Sequence, residues 1–562
     1  MRGTPPRVAP LDAPVVREAR RTLARYDRAG RADRARVFGT CAGAPFADVQ
    51  ALLEWHDLML FVVAHPASRG EHLRAERELA RVATVARELA LRGRVRDRRA
   101  LEETGVAWST VRASYGLAIA RWWVERHPGR ARLDGFDDNA LPLAEALAAG
   151  LPAMAAEAAA SLDAESAGAT LGGSPDALAF VVRALDRIRA PAVVRETLFE
   201  RMGAAIVVDL GASDASRTVL RCGEDAPWVV DRLQREVDAH AEIKAPLPRA
   251  PRLGLAARER YVDAGRATLA VLGRETDALS CTSARDTVVH PLGRGLAIAL
   301  HAPAAGRRGP LDTHVGFVLW RNGVAVAYGG GWPFAGGCRI GVNVFPAFRG
   351  GESAWLFTQV LRAYRARFAV RRFVVEPYQY GLGNREGLAS GAFWFYWRLG
   401  FRPVDPRVLA LANDEAARRA ADPAHRTGID LLRRFTRSDI ALDLEPGATP
   451  PEPLDLALRA SAWLARHGRG DLGRAERTAL ARAERALGKR APLSGPVRDA
   501  WIGWAPLVAL IDELPSWPAR DRSRLAAIVA AKARDEFAFQ RGVAGHARLL
   551  RALARIAAAR ID

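Results

Sequence analysis

Val344–Leu356 reads VFPAFRGGESAWL. Two apolar residues close a strand-like run, a proline and two glycines follow, and the stretch ends on the first turn of an amphipathic pattern. Glycine at 350 and 351 allows backbone N–H groups to approach a ligand closely. A helix beginning behind such a turn adds amides without internal partners and a partial positive charge. Strand, glycine turn and helix together make an anion site suited to a pyrophosphate.

Outward from this stretch the pattern is that of a mixed α/β unit. Upstream, Gly295–Ala302 (GLAIALHA), Val315–Trp320 (VGFVLW), Val324–Tyr328 (VAVAY) and Arg339–Phe345 (RIGVNVF) read as strands. Asn322-Gly323 sits between two of them and supplies the positive φ of a tight hairpin. Downstream, Phe357, Val360, Leu361, Tyr364 and Phe368 mark one face of a helix. Arg372–Val375 is a further strand, 386–399 a helix, and Phe401–Val404 a last short strand.

In that second helix, residues 392–401 read AFWFYWRLGF. The two segments together resemble the GNAT acyltransferase superfamily. Val344, Pro346, Phe348, Arg349 and Gly350 match the family's acyl-CoA loop. Ala392, Tyr396, Leu399, Gly400 and Phe401 match its later helix. The resemblance covers residues 288–405 and implies a splayed mixed sheet. CoA, as acetyl-CoA or another acyl-CoA, would lie between the strands 339–345 and 372–375. Val344, Phe345, Arg349, Gly350, Gly351, Ser353 and Ala354 would line the CoA site, with the amides of 349–354 on the pyrophosphate. Tyr396 would protonate the departing thiolate, a sensible task for a phenol whose ordinary pKa is about 10. A core aromatic is the competing reading of Tyr396, because Phe393, Trp394 and Trp397 surround it in sequence. Two positions depart from the family pattern: Glu352 stands where glycine is usual, and Ala389 where asparagine is common, although Asn384 lies nearby. An amine acceptor needs a general base. Glu376, at a strand end, is the first candidate, followed by Glu352, His314 and His290.

Composition bounds the rest. The chain has 562 residues, 49% of them hydrophobic and 26% charged, as in ordinary globular proteins. Its net charge is +20. Lys244, Lys489 and Lys532 are the only lysines, so the excess is arginine; a GC-rich coding bias and a polyanion partner both account for it. Cys41, Cys222, Cys281 and Cys338 are far apart, which argues against a disulfide framework or a zinc ribbon. No apolar run reaches the roughly 18 residues of a membrane span, and the first residues lack the apolar core of a signal peptide. The expectation is a cytoplasmic protein without a metal site.

The expected fold class is α+β: a central mixed sheet with helices, flanked by predominantly helical N- and C-terminal regions. Expected units are 1–130 (helical), 131–250 (helical), 251–405 (acyltransferase-like) and 406–562 (helical, with a Pro-rich linker at 445–453). Leu101–Arg112 (LEETGVAWSTVR) has the look of a helix-turn-helix, with Ser109-Thr110-Val111 opening a second helix. Three functions follow: an N-acyltransferase acting on a small-molecule or protein amine; a non-catalytic ligand-binding or scaffold version of that fold; or a nucleic-acid-associated protein.

Overall fold

The computed structural model describes residues 9–137, 141–173, 176–223, 226–447 and 449–559. Met1–Val8, Ala448 of the expected linker and the last three residues lie outside the described residues.

The fold is α+β, with two sheets among the described residues. The small sheet holds β1 (Thr110–Ala113), β2 (Ala131–Phe136) and β3 (Ala204–Asp209) in the order β1-β3-β2, all antiparallel. The large sheet holds β4 (Thr282–Gly293), β5 (Leu296–Pro303), β6 (Val315–Arg321), β7 (Val324–Phe334), β8 (Gly337–Val344), β9 (Arg372–Val375), β10 (Arg402–Pro403) and β11 (Ile440–Asp443). Its order is β10-β11-β9-β8-β7-β6-β5-β4. Every pairing is antiparallel except β8 with β9.

Local chemistry explains the elements. Asn322 and Gly323 carry φ of 46° and 78°, which lets the two-residue turn match the strand twist from β6 into β7. The helix Ser353–Phe368 connects β8 to β9, as a parallel pair requires. It buries Leu356, Phe357, Val360, Leu361 and Phe368, each contributing roughly 1.5–3 kcal/mol. Ala369, in the left-handed region at φ 55°, ends it.

The expected unit boundaries are redrawn. The helices Ala13–Leu23, Arg28–Cys41, Val49–Ala64 and Arg69–Arg92 share one apolar core with the large sheet. Leu52, Trp55 and Leu58 belong to the same cluster as Phe317, Leu319 and Phe357. A second core lies within 111–271 and is built around β1–β3 and the helix Ala177–Arg187. The region expected to be helical from 131 to 250 therefore carries strands; AAIVVD at 204–209 pairs on both edges.

The helix-turn-helix expectation is also overturned. Thr110-Val111-Arg112 is strand β1, paired with β3, and Val106, Ala107, Ser109 and Val111 are buried. Gly105 and Trp108 both take φ of 69°, which stops a helix there. A third correction concerns the C-terminal region. Residues 440–443 form β11, inserted between β9 and β10, so the large sheet closes only at residue 443. The remaining helices, Pro453–Ala558, form their own core around Trp463, Trp504 and Leu525. They dock on the loop before β6: Trp504 donates to the carbonyl of Pro310 at 2.8 Å, and Lys532 donates to Thr313 Oγ1 at 2.9 Å. Among the described residues no helix is long and apolar enough to cross a membrane.

Candidate active site

β8 and β9 pair at three positions only: Gly337 with Arg372, Cys338 with Phe373 and Arg339 with Val374. β8 then runs on to Val344 while β9 ends at Val375, so the two strands part towards their C-terminal ends. The chain leaves β8 through a single turn at Pro346–Phe348 and reaches Gly350 at φ 77°. A Cβ on Gly350 would meet nothing within 4 Å. The glycine is therefore needed for its backbone angle, and the space before it is open. Among the described residues, the amides of Gly350, Gly351, Ser353 and Ala354 find no hydrogen-bond acceptor. The expected anion loop thus presents unpaired donors at the start of a 16-residue helix.

Arg349 spans the opening. Its Nε donates to the Val344 carbonyl at 2.9 Å, and its guanidinium pairs with Glu386 on the helix Arg385–Ala389. Phe345 is buried and packs against Tyr328, with ring centroids 5.3 Å apart.

Glu352 points the other way. It is 2% exposed and lies beneath the loop. Oε1 accepts from the Gln234 N–H at 2.8 Å, and Oε2 accepts from His65 Nε2 at 3.1 Å. Arg321, fully buried, sits 3.5 Å away. Burial raises the carboxyl's pKa, but the His65 hydrogen bond and the Arg321 charge outweigh it and leave the pKa below its ordinary value. The carboxylate offered as a candidate base is consumed by internal partners.

Tyr396 is 3% exposed. Its ring packs edge-on against Phe357 at 5.7 Å and Phe401 at 5.8 Å. Burial pushes the phenol's pKa well up, so it stays protonated and its O–H is available as a donor. Among the described residues its hydroxyl has no hydrogen-bond partner.

Glu376 lies where β9 ends and is exposed. It pairs with Arg339 at 3.4 Å, and Asp439 and Glu452 hold the same guanidinium at 3.0 and 3.4 Å. Glu376 lines a cavity of about 180 Å³ with His314, Tyr328, Trp332, Asn343 and Gln379. His314 lies flat on Trp332, with centroids 4.2 Å apart and planes at 8°. Burial pushes its pKa down to about 4, so it is neutral near pH 7. A larger cavity of about 450 Å³ shares Trp332 and Arg339 in its lining and is bounded by 450–455.

The structure brings Glu376 and His314 together at one cavity and sets His290 apart. His290 is on β4, the far edge strand, buried and bonded to the Pro248 carbonyl at 3.1 Å. Its candidacy as a base for this cleft ends there. Asn384 caps its own helix by accepting from the Gly387 N–H at 3.0 Å. Trp332, Gln379 and Tyr328 were not singled out from sequence. A signal was present: glycines inside strands mark close approach of a side chain. A Cβ on Gly330 would strike the His314 ring, and one on Gly341 would lie 2.8 Å from the Gln379 amide nitrogen. Both glycines make room for the cavity's walls.

Comparison with known proteins found no matching family model, no matching curated protein and no matching solved structure. Among the described residues no group of three or more His, Cys, Asp or Glu is placed to hold a metal ion.

Proposed function

We propose that residues 282–444 form an acyl-CoA-dependent N-acyltransferase acting on an amine acceptor. One observation carries this reading. A parallel strand pair parts beside a loop with unpaired amides at its mouth, and a carboxylate at the parting point lines a cavity. In the reaction the acceptor nitrogen attacks the thioester carbonyl and Glu376 takes the nitrogen's proton. The C–S bond breaks, and Tyr396 protonates the thiolate. The amides of Gly350, Gly351, Ser353 and Ala354 bind the pyrophosphate, and Arg349 closes over it. Displacement of Glu386 from Arg349 accompanies binding.

Titration calorimetry with CoA tests the reading, together with release of free thiol from acetyl-CoA in the presence of assorted amines. Binding at micromolar to millimolar CoA, about −8 to −4 kcal/mol, is expected. No heat at millimolar CoA removes the proposal. The enclosure of Tyr396 favours a second reading, a module that holds acyl-CoA without turnover. Thiol release that Glu376→Gln lowers about a hundredfold decides for the enzyme. Binding without thiol release decides for the module.

A further inference from the structure

The loop with the free amides is held from below by the N-terminal helices. Arg20 on the helix Ala13–Leu23 donates to the Ala347 carbonyl at 2.6 Å. His65, which caps the helix Val49–Ala64, donates to Glu352 and lies 6.2 Å from the Phe348 ring. His65 is itself fixed. Its carbonyl accepts from Tyr26 Oη at 2.6 Å and from Arg34, which is paired with the buried Glu71. From the other side, Asn322 donates to the Ala64 carbonyl at 3.0 Å and so ties the β6–β7 turn to the same helix end. Arg321, its neighbour, reaches Glu352.

Arg321 stands out within this network. It is fully buried; among the described residues its Nε and both terminal nitrogens have no hydrogen-bond acceptor, and its one ion-pair partner is Glu352 at 3.5 Å. Burial and the neighbouring Arg294 both lower its pKa, while Glu352 raises it. A buried arginine lacking matched hydrogen bonds is costly to keep, which invites a reason for it. Glu352 provides that reason. A lone carboxylate directly under an anion loop would repel the ligand. Arg321 cancels that charge, and His65 and the Gln234 amide draw the carboxylate down, away from the free amides.

We propose that His65 and Arg321 are positioning residues for the anion loop, acting through Glu352, so that the N-terminal helices are a working part of the ligand site. The inference rests on the acyl-CoA reading above. It predicts reciprocity: what the helices do for the ligand, the ligand does for the helices.

The test measures CoA affinity by calorimetry on the full chain. Thermal unfolding identifies variants that remain folded. Arg321→Met should weaken CoA binding about tenfold. The double variant Arg321→Met/Glu352→Gln should restore it to within about threefold. His65→Ala should weaken binding about tenfold, whereas His65→Gln, which retains a donor, should stay within about threefold. In the wild type, CoA should slow amide exchange in 49–65 and at Gln234, and His65→Ala should abolish that protection. Where Arg321→Met does not fold, Glu352→Gln alone carries the test: with Arg321 unopposed under the loop, CoA should bind several-fold tighter. Wild-type affinity in the single variants, no rescue in the double, or a Glu352→Gln affinity no tighter than wild type overturns the inference while the acyl-CoA reading stands. Absence of CoA binding by the wild type removes that reading, and this inference with it.

Discussion

Gly330→Ala probes the cavity wall most directly. A Cβ at this position would overlap the His314 ring, with Cδ2 only 2.7 Å away, and would press the Val315 carbonyl at 3.1 Å. The imidazole must leave its place on Trp332. Overpacking of this kind costs about 1–3 kcal/mol, and loss of the stacked pair about 0.5–1.5 more. Alanine regains about 0.5–1 kcal/mol by limiting the unfolded backbone. The balance is a destabilisation of about 2 kcal/mol. His314→Ala removes the obstructing ring, so Gly330→Ala in that background should cost little, at most about 0.5 kcal/mol. The expected coupling in a double-mutant cycle is then about 2 kcal/mol, well above the usual additivity error of about 0.3–0.5. Urea denaturation of the four variants measures it. An equal cost for Gly330→Ala in both backgrounds would refute the claim that this glycine exists to seat His314.

Three further outcomes are expected. Tyr396→Phe should leave CoA affinity and stability nearly unchanged, because no hydrogen bond within the protein is lost, while acyl transfer falls by about 10²–10⁴; unaltered turnover in this variant would return Tyr396 to a packing role. Glu376→Gln should lower turnover about a hundredfold yet change stability by less than about 0.5 kcal/mol, since the carboxylate is exposed and Asp439 and Glu452 still hold Arg339; a large loss of stability with normal turnover would contradict this. His301 is fully buried and burial pushes its pKa down to about 3; the unfolded chain then binds the proton more readily, so stability is full above pH 6.5 and is lost as pH falls towards 3, with His301 accounting for about 2 kcal/mol between pH 7 and pH 5. His301→Gln should flatten the pH dependence of the urea midpoint by that amount, and identical slopes would count against it.

Sequence and tertiary structure divide the description of this protein along a physical line. The β6–β7 hairpin, the strand of Arg339–Val344, the glycine turn and the amphipathic helix behind it were all legible in sequence. Each depends on interactions within a few residues: positive φ at Asn322-Gly323 and Gly350, alternation in strands, the apolar face of Phe357 to Phe368. Short strands without such local signatures were not legible. Thr110–Ala113 and Ile440–Asp443 are four residues each, and partners distant in sequence, β3 and β9, make them strands. Glu352 shows the same division at the site. Sequence placed it at the start of a helix beside an anion loop, where glycine is usual, and offered it as a candidate base. His65 and Arg321, supplied by other elements, turned it inward. A charge pair across 31 positions and a hydrogen bond across 287 have no period and no local motif, so only the folded chain could decide them.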